Sequence, residues 1–249
     1  MLTLEQVRQH RRRRPPPSLK QQYQEYVLQR IEGYKNSLPR GELLRLGDDA
    51  VKELHATSQG QFVLTEVLML DSVDRIIMKR LSIRPYRRWR TQFLALRKAQ
   101  REPTHWGVAP DHPATRMLGR IEAGDHVLAV GASCEECACL MAAHDAAVTF
   151  IAGDLGLVER VESRASIESL GSEFDAIVIQ PGYWFPPLEP AELVLLDAAI
   201  LTGLEPDRRQ EMIRDVQRAT AAGGVHVLVP GRNGGLTPDA ILSYYPGWV

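Results

Sequence analysis

The chain has 249 residues, a formal net charge of −1, 44% hydrophobic and 24% charged residues. This is an ordinary globular composition, and no apolar run reaches the roughly 18–20 residues of a membrane span, so no membrane partner is expected. The near-neutral sum hides a division: residues 1–110 carry 21 Lys and Arg against 11 Asp and Glu, and residues 111–249 carry 9 against 20. Such asymmetry predicts two modules; an anionic partner for the basic one, docking of the halves, or plain solvation would each account for it. The basic N-terminus lacks a following apolar segment and does not read as a secretory signal. Three clustered cysteines do not form a disulfide framework, and a reducing, cytoplasmic setting is the expectation.

Residues 1–17 contain HRRRRPPP. Four arginines repel and three prolines resist a regular ladder, so this stretch reads as a flexible basic arm. An all-helical module is expected over residues 18–103. Leu19, Tyr23, Tyr26, Val27, Ile31 and Tyr34 recur at helical steps behind Ser18, a good N-cap, until Leu38-Pro39 breaks the pattern. A second helix is predicted over Arg40 to His55, with Leu43, Leu44, Ala50, Val51 and Leu54 on its inner side. A third, Phe62 to Leu81, is apolar over much of its circumference and is expected to be the buried helix of a bundle. The fourth starts near Pro85, with Trp89, Phe93 and Leu96 on one face. Arg87, Arg90, Arg97, Lys98 and Arg101 lie opposite, either as a phosphate-binding face or as a wet outer face. Glu102 to Pro113 reads as a linker in which Trp106 leans over a neighbouring pocket or plugs a seam between modules.

From residue 104 the pattern alternates. Strands are predicted at His126–Val130, Val148–Ala152, Phe174–Gln180, Leu193–Leu196 and Val225–Val229. Helices are predicted at Glu135–Ala143, Leu155–Ala165 and Pro206–Ala221, the last stopped by Gly223-Gly224. Strands that are nearly continuous apolar runs, separated by helices, imply an α/β fold with a doubly wound parallel sheet. In such sheets ligands bind where turns leave the carboxyl ends of the strands. The turn after Val130 is therefore the first place to look for function.

Several stretches together resemble the class I, Rossmann-like S-adenosylmethionine-dependent methyltransferases: HVLAVGAS, VTFIAGD, FDAIVIQPGYW, and ELVLLDAAI through GGVHVLVP. The resemblance covers residues 104–249, which it makes the methyltransferase domain, and implies the sheet order 3-2-1-4-5. It implies S-adenosylmethionine as cofactor and an unidentified methyl acceptor. Val130, Gly131, Ala132 and Ser133 would hold the methionine part. Ala152, Gly153 and Asp154 would lie at the ribose, and Pro181, Gly182 and Tyr183 at the adenine. Asp197 and Ala198 would border the transferred methyl, with Asp197 as the candidate catalytic residue. Asp197 alternatively only caps the next turn.

The motifs are degenerate. Gly131 stands where the family has two or three glycines, and a side chain there narrows the approach of a ligand to the backbone. The ribose acid falls on Ala152. Loss of a charged hydrogen bond of about 1.5–3 kcal/mol predicts weak cofactor binding and weak activity, unless Asp154 curls back through Gly153. The chain also ends where a sixth strand would begin, which leaves strand five near an edge and predicts a homodimer or low solubility. The alternative function is a catalytically inactive methyltransferase-fold protein that binds nucleic acid or an acidic partner through its basic helical module. Strong nucleic-acid binding by the fourth helix alone is not expected.

Cys134, Cys137 and Cys139, with His144 nearby, offer zinc-ligand chemistry, but they straddle a turn and a helix start. Packing of small buried cysteines against the sheet is the favoured expectation, with no metal bound. His226, inside a strand, reads as structural.

Overall fold

The computed structural model describes residues 18–57, 66–170, 173–230, 236 and 238–248. The basic arm, the Ser58–Gly60 turn and the expected start of the third helix at Phe62 lie outside these residues. The chain divides into two compact units, Met1–Ala95 and Leu96–Val249.

The first unit holds α1 (Leu19–Ser37), α2 (Arg40–Thr57) and α3 (Glu66–Arg80). It also holds most of α4 (Tyr86–Gln100), inside which the division falls. The Ser18 hydroxyl accepts from the Gln21 N–H and the Gln21 side chain accepts from the Ser18 N–H, a reciprocal cap that fixes where α1 starts. Ile31, Leu46 and Ile77 form the buried centre, with Val27, Tyr34 and Val73 around it. Two expectations change here. On α2 the buried residues are Leu46 and Ala50, whereas Leu43 and Leu44 face solvent. On α3 the buried residues are Ser72 and Ile77, and Val67 is 66% exposed, so α3 is not enclosed on all sides. Its outer edge instead carries ion pairs, Lys79–Glu53 at 2.8 Å and Arg80–Asp49 at 3.3 Å. On α4, Trp89 is buried and stacks on Phe93 with ring centroids 4.7 Å apart.

The second unit begins with the end of α4, continues through α5 (Pro113–Met117) and then builds a sheet. Its strands are β1 (His126–Val130), β2 (Ala147–Ala152), β3 (Phe174–Val178), β4 (Ala191–Asp197) and β5 (Thr220–Val229). All pair in parallel, in the order β3-β2-β1-β4-β5, with β1 at the centre. This is the order that the resemblance implied, an open parallel sheet wound in both directions from β1.

Alternate residues of the buried strands feed two cores, as pleating requires. Val127, Ala129, Val148, Phe150, Leu193 and Leu195 face α6 (Glu135–Ala143) and α7 (Leu155–Ile167). Leu128, Val130, Ile151, Val194 and Leu196 face α8 (Ala198–Gly203), α9 (Pro206–Arg218) and α10 (Pro238–Leu242). α6 is short and rich in small residues, and every one from Cys137 to Ala143 is buried. Cys134, Cys137 and Cys139 are free, buried thiols in the first core. Burial, aided by the Glu136 carboxylate, pushes Cys137 up to about 12. Burial pushes Cys139 up to about 12 as well, so both remain protonated packing groups. His144 is turned elsewhere, with Nε2 3.1 Å from the Arg101 carbonyl. No group of three metal-ligating side chains gathers among the described residues.

Trp106 is buried in the same core, where its indole N–H donates to the Gln100 carbonyl at 2.6 Å and Arg164 lies 5.1 Å over its ring. Arg97 and Arg101, expected on an outer basic face, both bind the Asp145 carboxylate instead. Asp145 sits at φ 67° in the turn between α6 and β2. The end of the chain also departs from expectation. α9 stops at Arg218, and Gly223-Gly224 lie inside β5 at a register break opposite Ala191 and Leu193. Gly223 takes φ 81°, and a Cβ on Gly224 would meet the Ala191 carbonyl at 2.9 Å. The two glycines thus serve a bulge, not a helix stop.

Candidate functional site

The sheet determines where the site is. The five strands are parallel, so their carboxyl ends share one rim, and the turns after β1, β2, β3 and β4 all open there. β1 ends at Val130, which is buried, and Gly131 follows with φ 105°. That conformation suits glycine, and the surroundings demand it too: a Cβ at residue 131 would stand 2.4 Å from Asp197 Cβ and 2.6 Å from Ile200 Cδ1. Gly131 therefore lets the turn after β1 close onto the end of β4. Its N–H donates to the Ile151 carbonyl at 2.8 Å, which ties the same turn to β2. Ala132 is exposed and Ser133 half-buried in the short 3-10 turn that leads into α6.

Asp197 terminates β4 and is 3% exposed. One carboxylate oxygen accepts from the Ala199 N–H at 2.9 Å and so caps α8. The other accepts from the Ser133 N–H at 2.9 Å. A single buried carboxylate thus joins two turns, and each N–H gives a charge-assisted hydrogen bond. Capping of the next turn, one of the two roles open to Asp197 in the sequence, is present. The bond to Ser133 is a second structural role. Ala198 is buried directly behind it.

The turn after β2 contributes Ala152, Gly153 and Asp154. Ala152 is 3% exposed and has no polar side-chain atom. Asp154 is exposed, and its Oδ1 accepts from the Leu157 N–H at 2.6 Å as the N-cap of α7. Its carboxylate thus serves α7.

The loop after β3 begins at Ile179, which is buried, and continues through Gln180, which is exposed. Pro181 is buried, and Gly182 has φ 84° with its α-carbon against Leu204. Tyr183 is 67% exposed, and the Arg208 guanidinium lies 5.5 Å over its ring.

The structure therefore brings Val130, Gly131, Ser133, Asp197 and Ala198 into one constellation. Ala152, Gly153 and Asp154 sit beside it across the β1–β2 pairing. Gly182 and Tyr183 lean instead toward Leu204 and the start of α9, with Pro181 buried before them. Sequence reasoning missed Ile200, Leu204, Arg208 and Gln180. For Gln180 a signal existed: it is the polar residue that ends the apolar run FDAIVI, as Asp197 ends ELVLL.

No protein-family model and no curated protein matches the chain. Solved structures do. A TehB-like SAM-dependent methyltransferase from Corynebacterium glutamicum is 16% identical, over 64% of this chain and 78% of that one, with a TM-score of 0.47. The glycopeptide N-methyltransferase MtfA, complexed with S-adenosyl-L-methionine, is 13% identical over 46% of this chain and 51% of that one, with a TM-score of 0.40. A SAM-dependent methyltransferase from Geobacter sulfurreducens, in complex with S-adenosyl-L-homocysteine, is 20% identical over 48% of each chain, with a TM-score of 0.37. This chain thus spans about half the length of the last two.

Proposed function

We propose that the second unit is an S-adenosylmethionine-dependent methyltransferase acting on an unidentified acceptor. The observation that supports this best is the rim itself. A glycine turn at positive φ leaves the central strand, enters a helix, and is fastened by Asp197 to the end of the neighbouring strand. In an open parallel sheet this switch point is where a nucleotide-sized ligand is received.

The groups on the rim suit a sulfonium nucleoside. Asp197 supplies negative charge beside the Gly131 turn, where a sulfonium's positive charge is favoured. Gly153 and Gln180 offer a small residue and a polar one side by side. Once bound, the cofactor supplies an electrophilic methyl group. The protein's task is then to align the acceptor and exclude water, with little covalent help. Asp197 would act by fixing the two turns that border the methyl.

The alternative of an inactive protein that binds through its basic helical module finds no support at the end of α4. Arg97 and Arg101, two of the cations it needs, are committed to Asp145.

Calorimetric titration of the whole protein with S-adenosylmethionine and S-adenosylhomocysteine tests the proposal. Saturable binding of both is expected, weaker than a site with a ribose carboxylate would give. An absence of saturable heat from either ligand would overturn the reading.

A further inference from the structure

The end of β2 lacks a side chain suited to a ribose. A ribose presents two adjacent hydroxyls, and burying them requires partners for both. Ala152 has no polar side-chain atom, and the carboxylate of Asp154 is drawn onto the Leu157 N–H. The neighbouring strand supplies another group. The Ile179 N–H donates to the Ala152 carbonyl at 2.9 Å, so the chain leaving β3 runs alongside the chain leaving β2. One residue further, the Gln180 side chain reaches across Gly153. A Cβ at residue 153 would stand 2.8 Å from Gln180 Oε1 and 3.5 Å from its carboxamide carbon.

Gly153 is not among the glycines with positive φ. The position therefore uses its size, not its conformational freedom. Gln180 is exposed, and its carboxamide makes no hydrogen bond among the described residues. A carboxamide carries an acceptor oxygen and two N–H donors. It can accept from one hydroxyl and donate to the next.

We propose that Gln180 takes the ribose hydroxyls of the adenosyl ligand in place of a carboxylate at residue 152, and that Gly153 exists to let its carboxamide lie there. The proposal rests on the adenosyl-ligand reading above. A neutral partner makes the grip weaker than an acid would, and independent of pH over the range where carboxylates titrate.

The test compares two ligands, S-adenosylhomocysteine and its 2′,3′-dideoxy counterpart, by calorimetry on the full chain. Wild type should prefer the hydroxylated ligand by roughly tenfold, the scale of one to two hydrogen bonds. Gln180→Ala should bind both ligands equally, at the wild-type affinity for the dideoxy form. Gly153→Ala keeps the glutamine but crowds the end of its side chain, and should reduce the preference. The double variant should be no worse than either. Gln180 is exposed, so its removal spares the core, and Gly153→Ala tests the same contact by a second route. A preference retained in Gln180→Ala overturns the proposal, as does a wild type that binds both ligands alike; in each case the adenosyl reading survives. A wild type that binds neither ligand overturns the adenosyl reading and the proposal together.

Discussion

Asp197 is a buried carboxylate whose two oxygens accept N–H groups from two different turns. Truncation to alanine leaves both N–H groups without their acceptor, and should destabilise the protein by roughly 2 kcal/mol. Asp197→Asn keeps one acceptor oxygen and should fall between alanine and wild type. Urea denaturation of the three proteins checks the order, and an alanine variant as stable as wild type would contradict it. The sequence placed Asp197 correctly at the end of a strand, because an acid after ELVLL is easy to see. It could not show that Ser133 is the second partner, since that contact joins two turns through space. Gln180 was passed over for the same reason: its meaning depends on lying next to Gly153, which only the β2–β3 pairing brings about.

His226 offers a second residue-scale prediction. One ring nitrogen lies 2.7 Å from the Thr220 hydroxyl and the other 3.0 Å from the Tyr245 hydroxyl. Burial lowers its pKa from 6.5 to about 4. The unfolded chain therefore takes up a proton at a higher pH than the folded chain does. Stability is full above about pH 6.5 and is lost as the pH falls from there to about 4. The melting temperature should decline across that window, and His226→Gln should flatten the part of the decline that His226 causes. An unchanged pH profile in the variant would show that other groups control the acid side.

At the scale of elements, the end of α4 is anchored by charge. The Arg97 side chain is 14% exposed, that of Arg101 is 52% exposed, and both bind Asp145. Loss of Asp145 strands a largely buried guanidinium, whereas loss of Arg101 removes an exposed partner. Asp145→Ala should cost roughly 2 kcal/mol and Arg101→Ala under about 1 kcal/mol. Equal effects in chemical denaturation would contradict this asymmetry. Helical periodicity put Arg97 on a polar face but could not say that the face meets a turn 48 residues on. α6 and β1, by contrast, were legible to the residue, because an apolar run, a glycine and a stretch of small residues admit one local solution. The Gly223-Gly224 pair was misplaced because the same two residues suit a helix stop and a strand bulge. The β4 pairing decides between them.

At the scale of the whole molecule, the order of the sheet was legible through the family resemblance. β5 is the last strand on its side among the described residues, so its outer backbone groups can pair with another chain. A homodimer is the expected outcome, and light scattering should give twice the mass of one chain; a mass of one chain at high concentration would contradict it. No helix among the described residues is long and apolar enough to cross a membrane.

An adenosyl ligand received on the carboxyl rim of this sheet would slow amide exchange at the turns that open there. Hydrogen-exchange mass spectrometry with and without S-adenosylhomocysteine tests this most directly, because it reports where the ligand acts. Protection should appear in peptides covering residues 130–134, 152–154, 179–183 and 197–204, with the opposite ends of the strands unchanged. Protection confined to the helical unit, or none at saturating ligand, would contradict binding at this rim.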